Sequence, residues 1–445
     1  VSQIPALIVS TAAGLLVTKS GTTGSTDKAV FGQLGGYPKA LILSAFLMLV
    51  LSLLPGIPMI PFVGLSIVIG GLAFFLYQKE INKERKAETL LLEANQNEME
   101  EEPVSSALQI DQVRLELGYG LLPLVSETDE NYRLTDQIKS LRRQIASESG
   151  FIMPQVRIQD NLQLPPNSYV VRIKEIEVGT SDIRPNRLLV MDASGDAIDL
   201  PGTETIEPTF GLPAMWVDPD NREEATFKGY TVVDPATVIT THLTELIRDN
   251  MSELLSYAET QNLLDELPNE HQKLVGEVVP NQISVGGIQR VLQNLLNERV
   301  SIRDLPTILE GISEACAFTR NVTQITEHVR SRLARQISEQ NSTEDNFIPL
   351  VTLSAEWEQI FSDSILDQGE DKQLSMAPSQ LQRFIGAVRT TLDELADTED
   401  PPVVLTSPSA RPFVRSIIER FRPTTSIMSQ NELHPKAKIK TLGQI

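Results

Sequence analysis

Residues Ala40–Gln78 have the sequence ALILSAFLMLVLSLLPGIPMIPFVGLSIVIGGLAFFLYQ, thirty-nine positions without one Asp, Glu, Lys or Arg in a chain that is 22% charged. A bilayer-spanning helix needs about 20 mostly apolar residues. The stretch divides into two halves of about this length at Leu54-Pro55-Gly56-Ile57-Pro58. Its prolines lack backbone N–H donors and interrupt a helix. The stretch therefore predicts two transmembrane helices joined by a tight hairpin.

Basic residues on both sides of this hairpin predict its orientation. The turn between the halves is uncharged, whereas the flanks carry Lys19, Lys28 and Lys39 before the hairpin and Lys79, Lys83, Arg85 and Lys86 after it. Loops rich in Lys and Arg stay on the cytoplasmic side of a membrane. We therefore expect both flanks, and all the residues that follow, to lie in the cytoplasm.

The first residues form another apolar segment, so we expect three transmembrane helices, at about 3–18, 38–54 and 59–78. Apart from Lys39 at the edge of the second span, these segments contain no Asp, Glu, Lys, Arg or His, although an ion pathway normally requires such residues within the membrane. The chain begins at Val1 without the basic start of a signal peptide, and we interpret it as a fragment.

Residues 79–108 form a charged linker, either solvated or docked on a neighbouring subunit.

Composition limits the classes of partner and of chemistry. The net charge of -21 and pI of about 4.7 argue against nucleic acid, which binds clustered Lys and Arg. The single cysteine, Cys316, excludes an intramolecular disulfide and a cysteine-rich zinc site. No phosphate loop, dinucleotide fingerprint or nucleophile elbow is present, and the four histidines are far apart in sequence. We therefore expect no cofactor and no enzymatic activity.

The residues after the linker predict a chain of mixed and helical regions. A strand is expected over Gln112–Leu124, and a helix follows with the stripe Leu134, Ile138, Leu141, Ile145 and a stop at Gly150. Further strands are predicted at Val156–Ile158, Tyr169–Val178, Arg187–Met191 and Met215–Val217. Asp234 and Pro235 are typical of a helix start.

Residues 251–342 predict helices only, with Ser284 and Asp304 as caps and a stripe of Ile325, Val329, Leu333 and Ile337. From about 343 strands and helices alternate, which favours a small α/β/α sandwich. Its predicted strands are Phe347–Leu353, Val403–Thr406 and Ser426–Ser429, and its predicted helices are Ser354–Phe361, Pro378–Leu395 and Arg411–Phe421. The last residues, through Gln444 and Ile445, are interpreted as a tail.

Six ordered segments together resemble one family, the export-gate proteins of flagellar and injectisome type III secretion (FHIPEP family). The segments are Gln3–Leu7 with Ser10–Gly14, Leu115–Gly120, Arg142–Ile145, Val156–Asn161, Gly229–Val233 with Thr241–Leu243, and Val291–Leu296 with Ile302–Leu305. The resemblance covers essentially the whole chain.

This resemblance implies a membrane-anchored multi-domain α/β protein of the bacterial inner membrane, in which transmembrane helices precede a cytosolic region of four subdomains. The chain would contain the last three spans. The subdomains would be a mixed α/β unit (109–185 plus 235–254), a small inserted α/β unit (186–234), an all-helical unit (255–342) and an α/β/α sandwich (343–445). The cytosolic region would form a nonameric ring beneath the export channel.

The resemblance also implies partners and a site. The partners would be export chaperones carrying late flagellar substrates, other export-gate membrane proteins and the export ATPase complex. The chaperone-binding positions that match are Glu207, Phe210 and Thr241, with Phe210 as an apolar anchor and the other two as hydrogen-bonding groups. Export would be driven by the proton gradient. A virulence injectisome gate, a transporter with a regulatory cytosolic domain and a tethered enzyme stay open as alternatives.

Overall fold

The structure is a computed structural model that describes residues 110–126, 133–192, 197–368, 371–395 and 400–445, with isolated helical positions between Leu43 and Gly71. The chain divides into two units, Val1–Gln109 and Ile110–Ile445. No helix among the described residues is long and apolar enough to cross a bilayer. The predicted spans and the charged linker lie almost entirely outside the described residues, so they stay predictions.

A mixed sheet opens the second unit, with strand order β2-β1-β3-β4. Its strands are β1 Val113–Leu117, β2 Val156–Asp160, β3 Ser168–Ile173 and β4 Ile176–Asp182. β1 pairs in parallel with β2 and antiparallel with β3, which forms a hairpin with β4. The helices of this region are α1 Pro123–Ser126 and α2 Leu134–Ser149. The predicted stripe of α2 is buried, and Gly150 ends the helix with a φ of 72°, as predicted.

Two strand predictions in this sheet were wrong in extent. The first strand stops at Leu117 rather than Leu124, because the chain turns there into a 3-10 helix at Tyr119–Leu121 and a short helix that begins at Pro123. The predicted strand Tyr169–Val178 is two strands. Lys174 and Glu175 both have positive φ, 48° and 69°, which is the geometry of a two-residue hairpin turn. Neither residue is Gly or Asn, so this turn carries no recognisable signal in the sequence.

A second, antiparallel sheet has the order β6-β7-β5-β8. Its elements are β5 Leu188–Met191, β6 Gly202–Ile206, β7 Pro213–Val217, α3 Arg222–Phe227 and β8 Thr231–Val233. Successive strand side chains point to opposite faces. Val190 and Val217 therefore pack in a small core of this sheet, whereas Leu189 and Trp216 belong to the large core of the unit.

Seven helices follow, and they supply nearly half of the buried residues of the large core. They are α4 Pro235–Leu254, α5 Tyr257–Asp265, α6 Asn269–Val278, α7 Val285–Asn297, α8 Leu305–Cys316, α9 Val322–Arg332 and α10 Ala334–Gln340. The predicted caps are present: Asp234, Ser284 and Asp304 accept hydrogen bonds from the backbone N–H groups three residues later. The predicted stripe ending at Ile337 spans two helices, because the helix breaks at Leu333.

The last region is a parallel sheet in the order β13-β12-β9-β14. Its elements are β9 Phe347–Thr352, α11 Ala355–Ser364, α12 Pro378–Glu394, β12 Val403–Thr406, α13 Arg411–Ile418, β13 Ile427–Ser429 and β14 Lys438–Gln444. A hairpin that was not predicted, β10 Ile365–Gln368 and β11 Asp371–Leu374, lies between α11 and α12.

Both faces of this parallel sheet are buried, as parallel sheets require. Helices α11 to α13 cover one face with Trp357, Phe361, Phe384 and Val414 among others. On the other face Leu350 and Met428 join the large core that contains the helices.

The prediction of a tail was wrong. Lys438–Gln444 pairs with β9, and Ile445 is buried. The strand was missed because most of its side chains are exposed and the pairing is irregular between Thr441 and Gly443.

Candidate partner-binding groove

The loop between β6 and β7 is organised by Glu207. Its carboxylate Oε2 accepts a hydrogen bond from the Phe210 backbone N–H at 2.7 Å. Its own backbone N–H donates to the Leu212 carbonyl at 2.9 Å, and its carbonyl accepts from the Gly211 N–H at 3.0 Å. Glu207 thus takes part in three hydrogen bonds within the loop. Its side chain is buried there, and 3% of the residue is exposed.

Phe210 is the exposed end of this loop. The residue is 65% exposed, and Gly211 follows with a φ of 70°, a conformation that glycine adopts without steric cost. The chain therefore turns back directly after Phe210 and leaves the aromatic ring in solvent. An exposed aromatic side chain held by a tight loop has the character of an interface anchor.

Phe210 and Thr241 line the same groove, which runs between α2 and α4 and has a volume of about 700 Å³. Most of the other lining side chains carry hydroxyl or amide groups: Gln137, Ser140, Gln144, Thr237, Thr240 and Thr244. The structure thus brings Phe210 and Thr241 together, whereas Glu207 does not line the groove and hydrogen-bonds within the loop.

The groove side chains differ in whether their hydroxyl and amide groups already form hydrogen bonds within the protein. The Thr240 hydroxyl donates to the Ala236 carbonyl at 2.8 Å, and the Thr244 hydroxyl donates to the Thr240 carbonyl at 2.6 Å. Gln137 is held by Thr237 and Thr240. Within the part of the chain that the structure describes, the Thr241 hydroxyl has no such bond. Of these threonines, Thr241 is therefore the most available to a bound molecule.

Sequence reasoning missed the other groove residues, although a signal was present. Gln137, Ser140 and Gln144 lie three and four residues apart on α2, and Thr237, Thr241 and Thr244 do the same on α4. Residues at this spacing share one face of a helix. The groove forms where these two helix faces, both lined with uncharged polar side chains, meet.

A buried polar pair includes His242, the residue that follows Thr241 on α4. The Tyr169 hydroxyl and His242 Nδ1 are 2.7 Å apart. Burial raises the pKa of Tyr169 well above its ordinary value, and the negative charge of Glu207 adds to this. Burial lowers the pKa of His242, and the opposing influence of Glu207 is weaker. Both side chains are therefore neutral at pH 7, and His242, which follows Thr241 on α4, fixes that part of the helix on the first sheet.

Charged residues lie at both ends of the groove, Asp136 at one end and Glu245 with Arg248 at the other. Arg248 donates to Glu245 at 2.7 Å and to Glu148 at 2.8 Å, and Asp136 accepts from Lys139 at 2.8 Å. Because these charges are already paired, the groove offers a partner mainly uncharged hydrogen-bonding groups and one aromatic ring.

A separate buried ionic cluster joins the helical region to the last sheet. Arg411 donates to Glu298 and Glu327 at 2.7 Å, and Arg330 donates to Glu432 at 2.5 Å. Burial acts to lower the pKa of Arg411, but the three surrounding glutamates outweigh burial and raise it. Burial raises the pKa of Glu327 despite Arg411. The guanidinium and carboxylate groups of this cluster form ion pairs with one another, so we interpret the cluster as structural.

Metal-ligand groups are not gathered anywhere in the described ranges: no set of three or more His, Cys, Asp or Glu could hold an ion there. The groove, with an aromatic anchor at its rim and polar walls, has the features of a protein-binding surface.

Comparison with solved structures shows the class of protein to which this fold belongs. The CdsV protein of Chlamydia pneumoniae, solved in complex with CdsO, is 25% identical and matches with a TM-score of 0.68 over 75% of this chain and 97% of its own. The nonameric SctV-C of EPEC has a TM-score of 0.61 and covers 76% of this chain and 98% of its own; at 22% identity the likeness concerns the fold. The fold is that of the C-terminal domains of type III secretion export gates.

The family then follows from sequence. The FHIPEP family model matches residues 1–438. The flagellar biosynthesis protein FlhA of Caulobacter vibrioides is 51% identical over 449 residues, which cover 100% of this chain and 63% of that protein. The chain belongs to the FHIPEP family, and the resemblance noted from its six segments is confirmed. The chain spans less than two thirds of the length of this relative.

Proposed function

We propose that the chain is part of the export gate of a flagellar type III secretion apparatus. Its folded part docks export chaperones with their late substrates and passes the unfolded substrates to a membrane channel, driven by the proton gradient. The observation that carries the proposal is the groove between α2 and α4 with Phe210 at its rim. The 51% identity with a flagellar biosynthesis protein supports the flagellar assignment.

The proposal includes a membrane anchor in the bacterial inner membrane. Three spans within residues 1–78 would hold the protein, and the charged linker 79–108 would connect them to the folded part in the cytoplasm. The support is the uncharged stretch Ala40–Gln78 and its basic flanks. Resistance of the protein to extraction from membranes by alkaline carbonate is the expected result, and release into the soluble fraction would contradict the anchor.

The folded part would act as four subdomains with the boundaries expected from sequence, assembled as a nonameric ring. The first sheet with α4, the second sheet, the helices and the parallel sheet are the elements that would form them. The nonameric assembly of SctV-C, which shares this fold, supports the ring. Ring display of many grooves would multiply a weak affinity per subunit.

The ATPase complex and the other gate proteins are proposed as further partners. Solved structures include CdsV bound to CdsO, which supports an additional contact made by this fold. An injectisome gate is the second candidate function, because the structural relatives come from such systems. Its support is weaker, since those relatives are 22% to 25% identical.

Export of late substrates tests the proposed function. In cells that carry only the Phe210→Ala variant, we expect filament protein in the culture medium to fall at least about tenfold, because an anchor residue contributes a large share of binding. The amount of the gate protein in membranes should not change. Phe227→Ala is the matched control, because Phe227 is 92% exposed and is not among the residues lining the groove. Wild-type export in the Phe210→Ala cells would reject the proposal.

A further inference from the structure

We propose that the free edge of β14 binds an extended acidic segment of a partner protein by strand addition. In this mode of binding, main-chain hydrogen bonds supply affinity and alternate side chains supply specificity. The expected segment has one aliphatic residue flanked by two acidic residues. None of the residues lining the groove between α2 and α4 belongs to β14, so failure of this proposal and failure of the chaperone-docking proposal are independent results.

The first observation is that one side of β14 has no strand partner. β14 ends the strand order β13-β12-β9-β14, and among the residues that the structure describes it pairs with β9 alone. An edge strand presents a row of backbone N–H and C=O groups to solvent. Residues 438–441 are all exposed, so both faces of the strand and its outer edge are accessible over this length.

The inner side of β14 is held in place before any partner binds. Ile445 is buried, donates its N–H to the Thr352 carbonyl at 2.9 Å and accepts from the Ser354 N–H at the same distance. A preorganised surface loses little conformational freedom on binding. An added strand would therefore be the main group that becomes ordered.

The second observation is the charge of this part of the chain. Residues 433–445 contain Lys436, Lys438 and Lys440 but no Asp or Glu, in a chain with 59 acidic and 38 basic residues. Across the described ranges, no ion pair involves any of these three lysines. Like charges opposite each other destabilise strand pairs, which disfavours pairing with the β14 of a second copy. An acidic strand would instead place opposite charges across the edge.

The alternation of side chains defines the pattern that the edge would recognise. Successive side chains of a strand point to opposite faces, so Lys438 and Lys440 share one face and Ile439 lies on the other. The Lys440 Nζ lies 4.8 Å from the centre of the Phe347 ring on β9. Ile439 is 56% exposed. A strand with its acidic residues beside the two lysines would place the intervening residue beside Ile439, where an aliphatic side chain would cover it.

Two capped peptides of equal composition test this pattern. They are Thr-Ser-Thr-Glu-Val-Glu-Thr-Ser-Thr, in which the acidic residues share one face, and Thr-Ser-Thr-Glu-Glu-Val-Thr-Ser-Thr, in which they do not. The protein is residues 110–445, which form one compact unit and correspond nearly to the extent of the solved CdsV domain. Labelled peptides are titrated at low salt and followed by fluorescence anisotropy.

Strand addition predicts that the first peptide binds at least about fivefold more tightly than the second, because only its acidic residues can face both lysines. Equal affinities of the two peptides would overturn the proposal. Absence of binding by either peptide would also overturn it, because lysines on an edge strand would then serve only to prevent association. Self-association of the free protein through β14 in sedimentation velocity would assign the edge to a second copy instead.

A charge reversal on the strand tests the lysines. Lys438→Glu should weaken binding of the first peptide about tenfold, because it places like charges opposite each other. Lys372→Glu is the matched control, since Lys372 is an exposed lysine of the same region on β11, and it should bind the peptide like wild type. Melting temperatures should stay unchanged in both variants. Equal losses in the two variants would contradict a site on β14.

The backbone of the peptide gives a separate readout. Adjacent residues of a strand direct their N–H groups to opposite edges, so N-methylation at every second position blocks one edge only. Of two versions of the first peptide, methylated at odd or at even positions, one should lose binding and the other should stay within about threefold of the unmodified peptide. Equal effects of the two methylation patterns would show that charge alone attracts the peptide, and would overturn strand addition.

Discussion

The buried Arg411 is held by three carboxylates and connects two regions of the fold. Its guanidinium is 1% exposed and pairs with Glu298, Glu327 and Glu432. Removing one partner of a buried ion pair leaves uncompensated charge. We expect Arg411→Met to lower the free energy of unfolding by about 3–5 kcal/mol in urea denaturation.

The control for this variant is Arg157→Met. Arg157 also pairs with a carboxylate, Asp111 at 3.3 Å, but its side chain is 64% exposed, and surface ion pairs contribute about 0–1 kcal/mol. Equal effects of the two substitutions would show that the buried cluster has no special importance.

His242 gives the folded protein a dependence on pH. Its pKa is lowered in the folded state by burial, so between its folded pKa and about 6.5 the unfolded chain binds more protons. The free energy of unfolding should therefore fall as the pH is lowered from about 7 through this window. Denaturation curves at several pH values should show a shallower fall for His242→Gln than for wild type. Parallel curves for the two proteins would refute this role of His242, and His271→Gln serves as control, because the His271 side chain is 35% exposed.

Among the elements, the final strand β14 is the one whose removal should matter most. Ile445 donates its N–H to the Thr352 carbonyl at 2.9 Å and accepts from the Ser354 N–H at the same distance. A chain ending at Ala437 would lose this pairing and expose β9 as an edge. We expect a lower melting temperature and faster proteolysis of residues 343–437. Ile439→Ser, at a position 56% exposed, should have little effect; an unchanged truncated protein would contradict the role of β14.

Sequence reasoning succeeded where one face of an element is buried and its ends carry their own signals. Helix α4 has an Asp234 cap, a proline at its start and a buried stripe, all of which are visible in sequence. It failed where the deciding interaction is distant or unusual. The turn at Lys174 and Glu175 uses positive φ without glycine, and β14 is defined by pairing with β9 rather than by its own pattern.

The groove likewise has residues that could be predicted from sequence and residues that could not. The family resemblance pointed to Phe210 and Thr241, and both line the groove. The burial of Glu207 could not be predicted, because it depends on a hydrogen bond within the loop geometry. The polar walls of the groove required the packing of α2 on α4, which brings together residues about one hundred positions apart.

At the scale of the whole molecule, the proposed ring needs a lateral surface, and we propose that the helical region provides it through its amphipathic helices. Deleting that region would open the large core, so a surface substitution is the sharper test. Phe318, after α8, is 68% exposed and contacts His328 edge to face. We expect Phe318→Asp to reduce ring formation in sedimentation velocity, with Phe227→Asp as control. Rings of unchanged stability would exclude Phe318 from the lateral contact.

The central claim is that the groove between α2 and α4 docks a chaperone with its cargo. The most direct measurement is a calorimetric titration of residues 110–445 with a purified chaperone–substrate complex, alongside Phe210→Ala and Thr241→Ala. We predict measurable binding by the wild type, loss of about 2 kcal/mol or more for Phe210→Ala and a smaller loss for Thr241→Ala, with unchanged melting temperatures. Binding that is equal in wild type and Phe210→Ala would contradict the claim.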